Sequence, residues 1–385
     1  MTAGTLSGSG LDLDVVRDGT ELQSLAHEWD ALVVAASRPS PFLLHGWATA
    51  WWRHFGAGSR LAVVTARRDG RLLGIAPMFI ARHRGLRVCR FLGGHESALG
   101  DLLVSDPLDD AIPAALMSRL QQLPFDYLDA FGVPGGGPLG RWARRNRLEL
   151  LPRVEAPVME MPAGWDAAYQ SRMGSKKRSL HRRRLRQLGE LGDVTWTVAS
   201  EPDPVAAELE DAFEIHALRW HGRPDGSTFG STPGRAFHRE AARALADQGC
   251  VRIVTLRIDG RPVAFHYYFL LAATMYVHRL AFDPRFANQS PGQVTLLHAL
   301  DSASSEHVTR VEFLGGDERY KVELADRFEP MHQAIGLARG PLAAATVLTV
   351  IGAIRARKRL KRVVWLHDLY DRRFAPVRRM LRRGP

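Results

Sequence analysis

Two stretches of this 385-residue chain concentrate groups able to do chemistry. One is Phe313-Leu314-Gly315-Gly316-Asp317-Glu318-Arg319-Tyr320-Lys321, which reads as a strand emptying into a Gly-Gly bend. The bend carries two carboxylates, a phenol and an amine at the strand end, where open sheets place reactive groups. Proton transfer needs a base and an acid tuned by their surroundings. Asp317 or Glu318 suits the base, Tyr320 can protonate a leaving group, and Lys321 can hold a carboxylate or a phosphate. The other reading is a solvated loop in which Lys321 pairs with Asp317.

The second stretch is Phe282-Asp283-Pro284-Arg285-Phe286-Ala287-Asn288-Gln289-Ser290-Pro291-Gly292-Gln293-Val294. A strand ends at Phe282, a short polar loop follows, and Pro291 suits the first position of a helix. Proline there loses no hydrogen bond, and Gly292 lets a ligand approach the backbone. Free amides at a helix start make an anion site suited to a diphosphate; an ordinary capped helix start is the alternative. A third segment, Gly174 to Arg186, is a basic helix with Ser175 as N-cap, and Arg178, Arg182 and Arg186 share one face. That face suits a phosphate, or is a solvated surface.

The elements that must position these groups come from a repeat. Val64-Thr65-Ala66-Arg67-Arg68-Asp69-Gly70-Arg71 recurs as Val254-Thr255-Leu256-Arg257-Ile258-Asp259-Gly260-Arg261, an offset of 190 residues with six of eight positions identical. Both copies predict a β-hairpin turning at Asp-Gly. A period this long implies two similar lobes from duplication. The first is predicted over 11–158, with helices at 21–36, 42–55 and 111–123, strands at 61–80, 87–92 and 127–131, and a loop at 132–138. The second is predicted over 159–337, with helices at 176–190, 204–220, 234–248 and 291–305 and strands at 251–258, 262–272, 274–282 and 310–314; Gly315 onward reads as loop. The offset maps Ser290-Pro291-Gly292 onto Gly100-Asp101-Leu102, so the first lobe reads as a scaffold and the chemistry as the second lobe's. The fold class expected is α+β, each lobe a mixed sheet flanked by helices.

Length allows two cores. Two cysteines, Cys89 and Cys250, make neither a disulfide framework nor a zinc site, and the histidines lack ligand spacing, so no metal is expected. The formal charge of +11 sits in a third segment, 338–385: from Arg355 to Pro385 twelve Lys/Arg face two Asp. Large apolar residues accompany them, as in a basic amphipathic helix on an anionic membrane surface; nucleic-acid contact and a helix packed on the body are the alternatives. Pro341–Ile354 is apolar but too short to span a membrane. The N-terminus reads as no secretion signal, so a cytoplasmic location, or a peripheral one at the inner membrane face, is expected.

The line from the Asp259-Gly260 hairpin through Phe282-Asp283-Pro284, Ser290-Pro291-Gly292 and Gly316-Asp317-Glu318-Arg319-Tyr320-Lys321 resembles the CelD-type branch of the GNAT acyltransferases, bacterial proteins often associated with polysaccharide or cell-envelope synthesis. The two-lobe layout also resembles the Fem-type aminoacyltransferases, which draw on aminoacyl-tRNA. The resemblance implies tandem GNAT-like lobes, with acetyl-CoA or another acyl-CoA held by Arg285, Ser290, Pro291, Gly292, Gln293 and Val294. The acceptor implied is a small molecule or glycan precursor, with Arg178, Arg219, Trp220 and His278 as its contacts. Asn288-Gln289-Ser290-Pro291-Gly292-Gln293 departs from the usual Gln/Arg-x-x-Gly-x-Gly/Ala signature, which keeps a tRNA-borne donor open.

Overall fold

The computed structural model describes residues 10–221, 228–316 and 318–361. In chain order the first half forms β1 (Asp12–Val16), α1 (Gly19–Ser24), α2 (Ala26–Ala35), α3 (His45–Phe55), β2 (Arg60–Leu61), β3 (Val63–Arg68), β4 (Arg71–Ala76), β5 (Met78–His83), β6 (Leu86–Phe91), β7 (Leu103–Val104), α4 (Ala111–Gln121), β8 (Tyr127–Pro134), α5 (Pro138–Arg145) and β9 (Leu148–Glu160). The second half adds α6 (Gly164–Arg172), α7 (Ser175–Gly189), β10 (Val194–Ala199), α8 (Pro202–Trp220), α9 (Thr232–Ala246), β11 (Val251–Ile258), β12 (Arg261–Leu271), β13 (Thr274–Phe282), α10 (Pro291–Ser305), β14 (Arg310–Glu312), α11 (Arg319–Leu324), β15 (Arg327–Gly336) and α12 (Pro341–Lys361). The architecture is the mixed α/β one expected.

The repeat is a repeat of structure. Val64 pairs with Ala76 and Arg68 with Arg71; Val254 pairs with His266 and Ile258 with Arg261. Both registers slip at the same place, between Ala66 and Arg67 and between Leu256 and Arg257. Both turns carry positive φ at two positions, Asp69 (51°) with Gly70 (77°) and Asp259 (49°) with Gly260 (74°). That pattern suits the right-handed twist of a hairpin. Arg67 reaches back to Glu28 on α2 (2.9 and 2.7 Å), and Arg257 to Glu208 on α8 (2.8 and 2.9 Å). Each half then runs strand, helix, parallel strand: β6-α4-β8 and β13-α10-β14. The first-lobe counterpart of α10 is therefore α4, starting at Ala111, and not the Gly100-Asp101-Leu102 loop that the offset maps there.

The copies part at Pro77. It stands where the second copy has Tyr267, and proline cannot donate to a ladder. So β4 ends at Ala76 and β5 joins another sheet, whereas β12 runs unbroken for 11 residues. The result is a four-stranded sheet, β1-β3-β4-β7, and an eleven-stranded sheet, β10-β11-β12-β13-β14-β9-β15-β8-β6-β5-β2.

The large sheet joins the lobes. The boundary expected after residue 158 falls inside β9, a single 13-residue strand. β15, which lies in the stretch expected to be loop, pairs with β9 on one side and first-lobe β8 on the other. Residues 132–134 extend β8 and Pro138 opens α5, so only the middle of the expected 132–138 loop is one. The helix expected over 21–36 is broken at Leu25. One core holds α2, α3, α8 and α9 together; Trp47 of α3 stands edge-on to Phe237 of α9, centroids 4.8 Å apart. Edge-to-face aromatic pairs add to burial, so this contact helps hold the two lobes together. α12 packs Ala343, Val347 and Ile351, one face at a spacing of four, onto Leu86, Tyr127 and Ile335. Among the described residues no helix is long and apolar enough to cross a membrane; most of the basic tail, 362–385, lies outside them.

Candidate functional site

The candidate site lies where the sheet opens. Parallel pairing of β13 with β14 covers only Thr274–Tyr276 against Arg310–Glu312, and β13 then runs on to Phe282. On its other side the β12 register slips between Tyr267 and Tyr268, which pair with Arg279 and Val277 and leave His278 without an opposite number. A bulge frees backbone groups from the ladder and re-aims side chains. Here it turns both His278 and Arg279 toward the face covered by α3, α8 and α9, where the His278 ring meets Phe42, Trp47 and His238.

The helix start beside this opening is less vacant than expected. Ser290 is left-handed (φ 51°), and its carbonyl accepts from Gln293 N (3.0 Å) and Val294 N (3.3 Å). Ser290 N donates to Ala287 O at 3.1 Å. So Ser290, Gln293 and Val294 do not present unpaired amides; the short 3₁₀ turn of residues 284–289 feeds a carbonyl into the first turn of α10 and consumes them. Pro291 has no N–H, which leaves Gly292 N as the amide without a hydrogen-bond partner among the described residues. A side chain at Gly292 would set its Cβ 3.0 Å from the Phe282 ring. Arg285 is clasped to Asp283 (2.8 and 2.5 Å) in its own turn.

Positive charge around this helix start comes instead from α7. Arg184 donates to the Gln293 side-chain oxygen, and His181 Nε2 lies 3.1 Å from Gln293 Nε2. The same helix reaches α11 through Lys177–Glu323 (3.1 Å). Lys177 and Arg184 are seven residues apart, so the α10 start and the acidic bend lie along one helix within about 10 Å of rise. Lys176, Arg182 and Arg183 are exposed and make no hydrogen bond or ion pair with described residues. Arg178 does not face a ligand; it caps α6, donating to Met173 O at 2.7 Å.

At the bend, Asp317 lies outside the described residues. Glu318 is an exposed carboxylate paired with Lys321 Nζ at 3.0 Å. Lys321 is buried and also donates to Gly315 O at 2.7 Å, so it latches the bend rather than waiting for a ligand anion, and its carboxylate partner is Glu318 where the solvated-loop alternative named Asp317. Burial pushes the Tyr320 phenol well above its usual range, so it stays protonated and able to donate. Burial likewise raises the thiols of Cys89 and Cys250, the latter to about 11, and neither serves as a nucleophile. Arg219 lies over the Phe282 ring at 4.8 Å, at the lip of the opening, and Trp220 next to it is exposed.

The sequence reading missed a buried polar cluster on the α8/α9 face. Glu96 of the first lobe stands 3.1 Å from Arg279 and 3.6 Å from His238 on α9. Among the described residues, His238 Nδ1 and Nε2, Tyr267 Oη, His278 Nε2 and Arg279 Nε have no hydrogen-bond partner. Such orphans are rare in folded cores and mark places that take polar atoms from water or substrate. No local pattern announces this cluster, because its members come from four separate elements. A cavity of about 500 Å³ opens on the first-lobe side, with Arg38, Asp101, Gly135, Arg144, Glu329 and His332 in its wall. None of the residues expected to hold donor or acceptor lines it. Leu43 does, next to Phe42, whose ring packs against His278.

Comparison with known proteins places this geometry. Residues 175–322, most of the second lobe, match the Acetyltransferase (GNAT) domain family. No curated protein sequence matches. Among solved structures the chain is similar to FemX (TM-score 0.56, 10% identity, 83% of this chain and 96% of that one). It is similar to a conserved protein of unknown function from Bacteroides thetaiotaomicron (0.54, 11%, 84% and 99%). It is also similar to the C-terminal domain of a lysylphosphatidylglycerol synthetase from Agrobacterium fabrum (0.54, 12%, 87% and 96%). These likenesses are of fold. They span nearly the whole of each chain, so both lobes, and not the matched domain alone, belong to the shared architecture.

Proposed function

We propose that this protein is an acyltransferase that moves an acyl group from acyl-CoA to an amine or hydroxyl of a sugar or cell-envelope precursor, as its resemblance to the CelD-type branch implies. The observation that carries the reading is the gap between β13 and β14, with the Gly292 amide and the α7 cations at one end and the His278 bulge along its edge. A donor diphosphate would lie at the α10 start, drawn by the helix dipole and the cations of α7. The thioester would then reach the bulge, whose free backbone groups can meet the carbonyl oxygen as charge develops there. The acceptor attacks directly, so catalysis is positioning plus proton removal. Glu318 or Asp317 is proposed as base and Tyr320 as donor to the departing thiolate; Arg219, Trp220 and His278 would contact the acceptor. The adjoining cavity is of a size usual for ligand sites. Peripheral membrane attachment through the basic tail remains part of the proposal.

Calorimetric titration of the full chain with acetyl-CoA tests the reading. The chain is expected to bind it, and Gly292→Val to weaken binding at least tenfold, because a branched side chain placed 3.0 Å from Phe282 must push the helix start away. No binding by the unaltered chain would remove the acyl-CoA assignment. A second reading, aminoacyl transfer from tRNA, is favoured by the unpartnered cations of α7. Activity that survives ribonuclease would exclude it.

A further inference from the structure

The geometry points to a division of the reaction site between the lobes: Glu96, carried by the first lobe, is a positioning residue that orients His238 and Arg279 beside the bulge, so that the His278–His238 pair takes the proton the acceptor loses. The inference rests on the acyltransferase reading above and offers the imidazole pair as the base in place of the bend carboxylates named there.

Glu96 ends the short 3₁₀ turn of residues 94–96 and is 8% exposed. It crosses to the second lobe, where Oε2 meets Arg279 Nη2 at 3.1 Å and His238 Nε2 at 3.6 Å. A buried carboxylate survives as an anion only when paired. Burial would push the Glu96 carboxyl up, yet His238 and Arg279 facing it outweigh that and hold it at about 2. His238 is fully buried, and burial keeps its imidazole neutral against the pull of Glu96. A neutral imidazole backed by a carboxylate is the arrangement of a general base, because the carboxylate stabilises the imidazolium as it forms.

The His278 and His238 centroids are 5.5 Å apart with no direct hydrogen bond between the rings, so a proton passing between them needs a bridging water or a turn of one ring; His278 is partly exposed and His238 fully buried. Among the described residues the titratable groups facing His238 are Glu96 from the 94–96 turn, His278 and Arg279 from β13, and Tyr267 from β12 at 6.2 Å. α3 presents the Trp47 ring and the 228–230 turn the Phe229 ring, with His216 of α8 beyond it at 5.0 Å. In the step, the acceptor nitrogen or oxygen bonds to the thioester carbonyl carbon and the carbon–sulfur bond breaks. The acceptor's proton passes to the imidazole pair and on to water, and the departing thiolate takes a proton from Tyr320, which water then reprotonates.

The test uses the full chain labelled with [¹⁵N]histidine. Ring-nitrogen shifts of His238, assigned with His238→Asn, report its tautomer and protonation. Expected is an Nε2-protonated tautomer facing Glu96, lost in the isosteric Glu96→Gln and restored in Glu96→Asp. In parallel, acetyl-CoA hydrolysis, with water as the acceptor, should fall at least tenfold in Glu96→Gln while acetyl-CoA affinity stays within twofold, and its pH–rate profile should shift. Unchanged His238 signals, or an unchanged hydrolysis rate and pH profile, would overturn the assignment. Failure of the unaltered chain to bind acetyl-CoA would instead sink the acyltransferase reading, and the ring signals would still decide whether Glu96 orients His238.

Discussion

Replacing Glu312 by alanine is expected to cost about 3 kcal/mol of unfolding free energy, the lower end of what removing one partner of a buried ion pair costs. Its side chain is 1% exposed and lies between two guanidiniums, Arg38 of the first lobe at 2.5 Å and Arg310 beside it on β14 at 2.9 Å. Alanine would leave both cations partly buried, at 19% and 23% exposure. They keep other partners, because Glu329 lies 3.2 Å from Arg38 and 3.0 Å from Arg310 and Glu160 lies 3.2 Å from Arg310, and this holds the loss at the lower end. Glu329 is 27% exposed, so Glu329→Ala should cost only about 1 kcal/mol. Urea denaturation of both variants decides it. Equal losses would mean that Glu312 is no more buried in solution than Glu329. Since Arg38 ties the loop after α2 to the second lobe, Glu312→Ala should also loosen the wall of the cavity.

The second large effect is pH-dependent and belongs to His266. Its ring is fully buried on the α10 face, with neither nitrogen hydrogen-bonded to a described residue. Burial first, and the Lys321 ammonium second, push it down to about 3. An exposed histidine titrates near 6.5. Between those values the unfolded chain binds the proton and the folded chain does not, so stability falls as pH drops below about 6.5. Each unit costs up to about 1.4 kcal/mol, or about 2 kcal/mol between pH 7 and pH 5. Asp101 acts the other way: burial raises it to about 7, so its burial becomes less costly as pH falls. The total acid limb therefore does not isolate His266, but the difference between the unaltered chain and His266→Leu does. That difference should move by about 2 kcal/mol in the variant's favour on going from pH 7 to pH 5. A difference constant with pH would show that the ring is hydrated.

Some of this was legible in residues that act locally. The two Asp-Gly turns announce their hairpins because the left-handed conformation they need is available to few residues. Pro291 marks the first position of α10, and the strand ending at Phe282 is where the spacing predicts it. Roles that depend on distant chain were not legible. Arg178 looked like a phosphate ligand, but its helix face also meets the end of α6, whose carbonyls claim it. Lys321 looked ligand-ready until Gly315 O and Glu318 were seen beside it. β15 has no clean period-two pattern and holds Pro330, so it read as loop; pairing with β8 and β9, nearly two hundred residues earlier, makes it a strand.

By itself, then, the order of residues determined the duplication, the mixed class and the place where α10 begins, since hydrogen-bonding preferences and side-chain periodicity act over a few positions. Only the tertiary structure decided that the lobes share one sheet, that the Ser290 carbonyl takes up two of the amides at the helix start, and that Glu96 meets His238 and Arg279. The reason is physical: a buried charge keeps its ionisation only through partners the folded chain brings to it, and those partners lie far away in sequence.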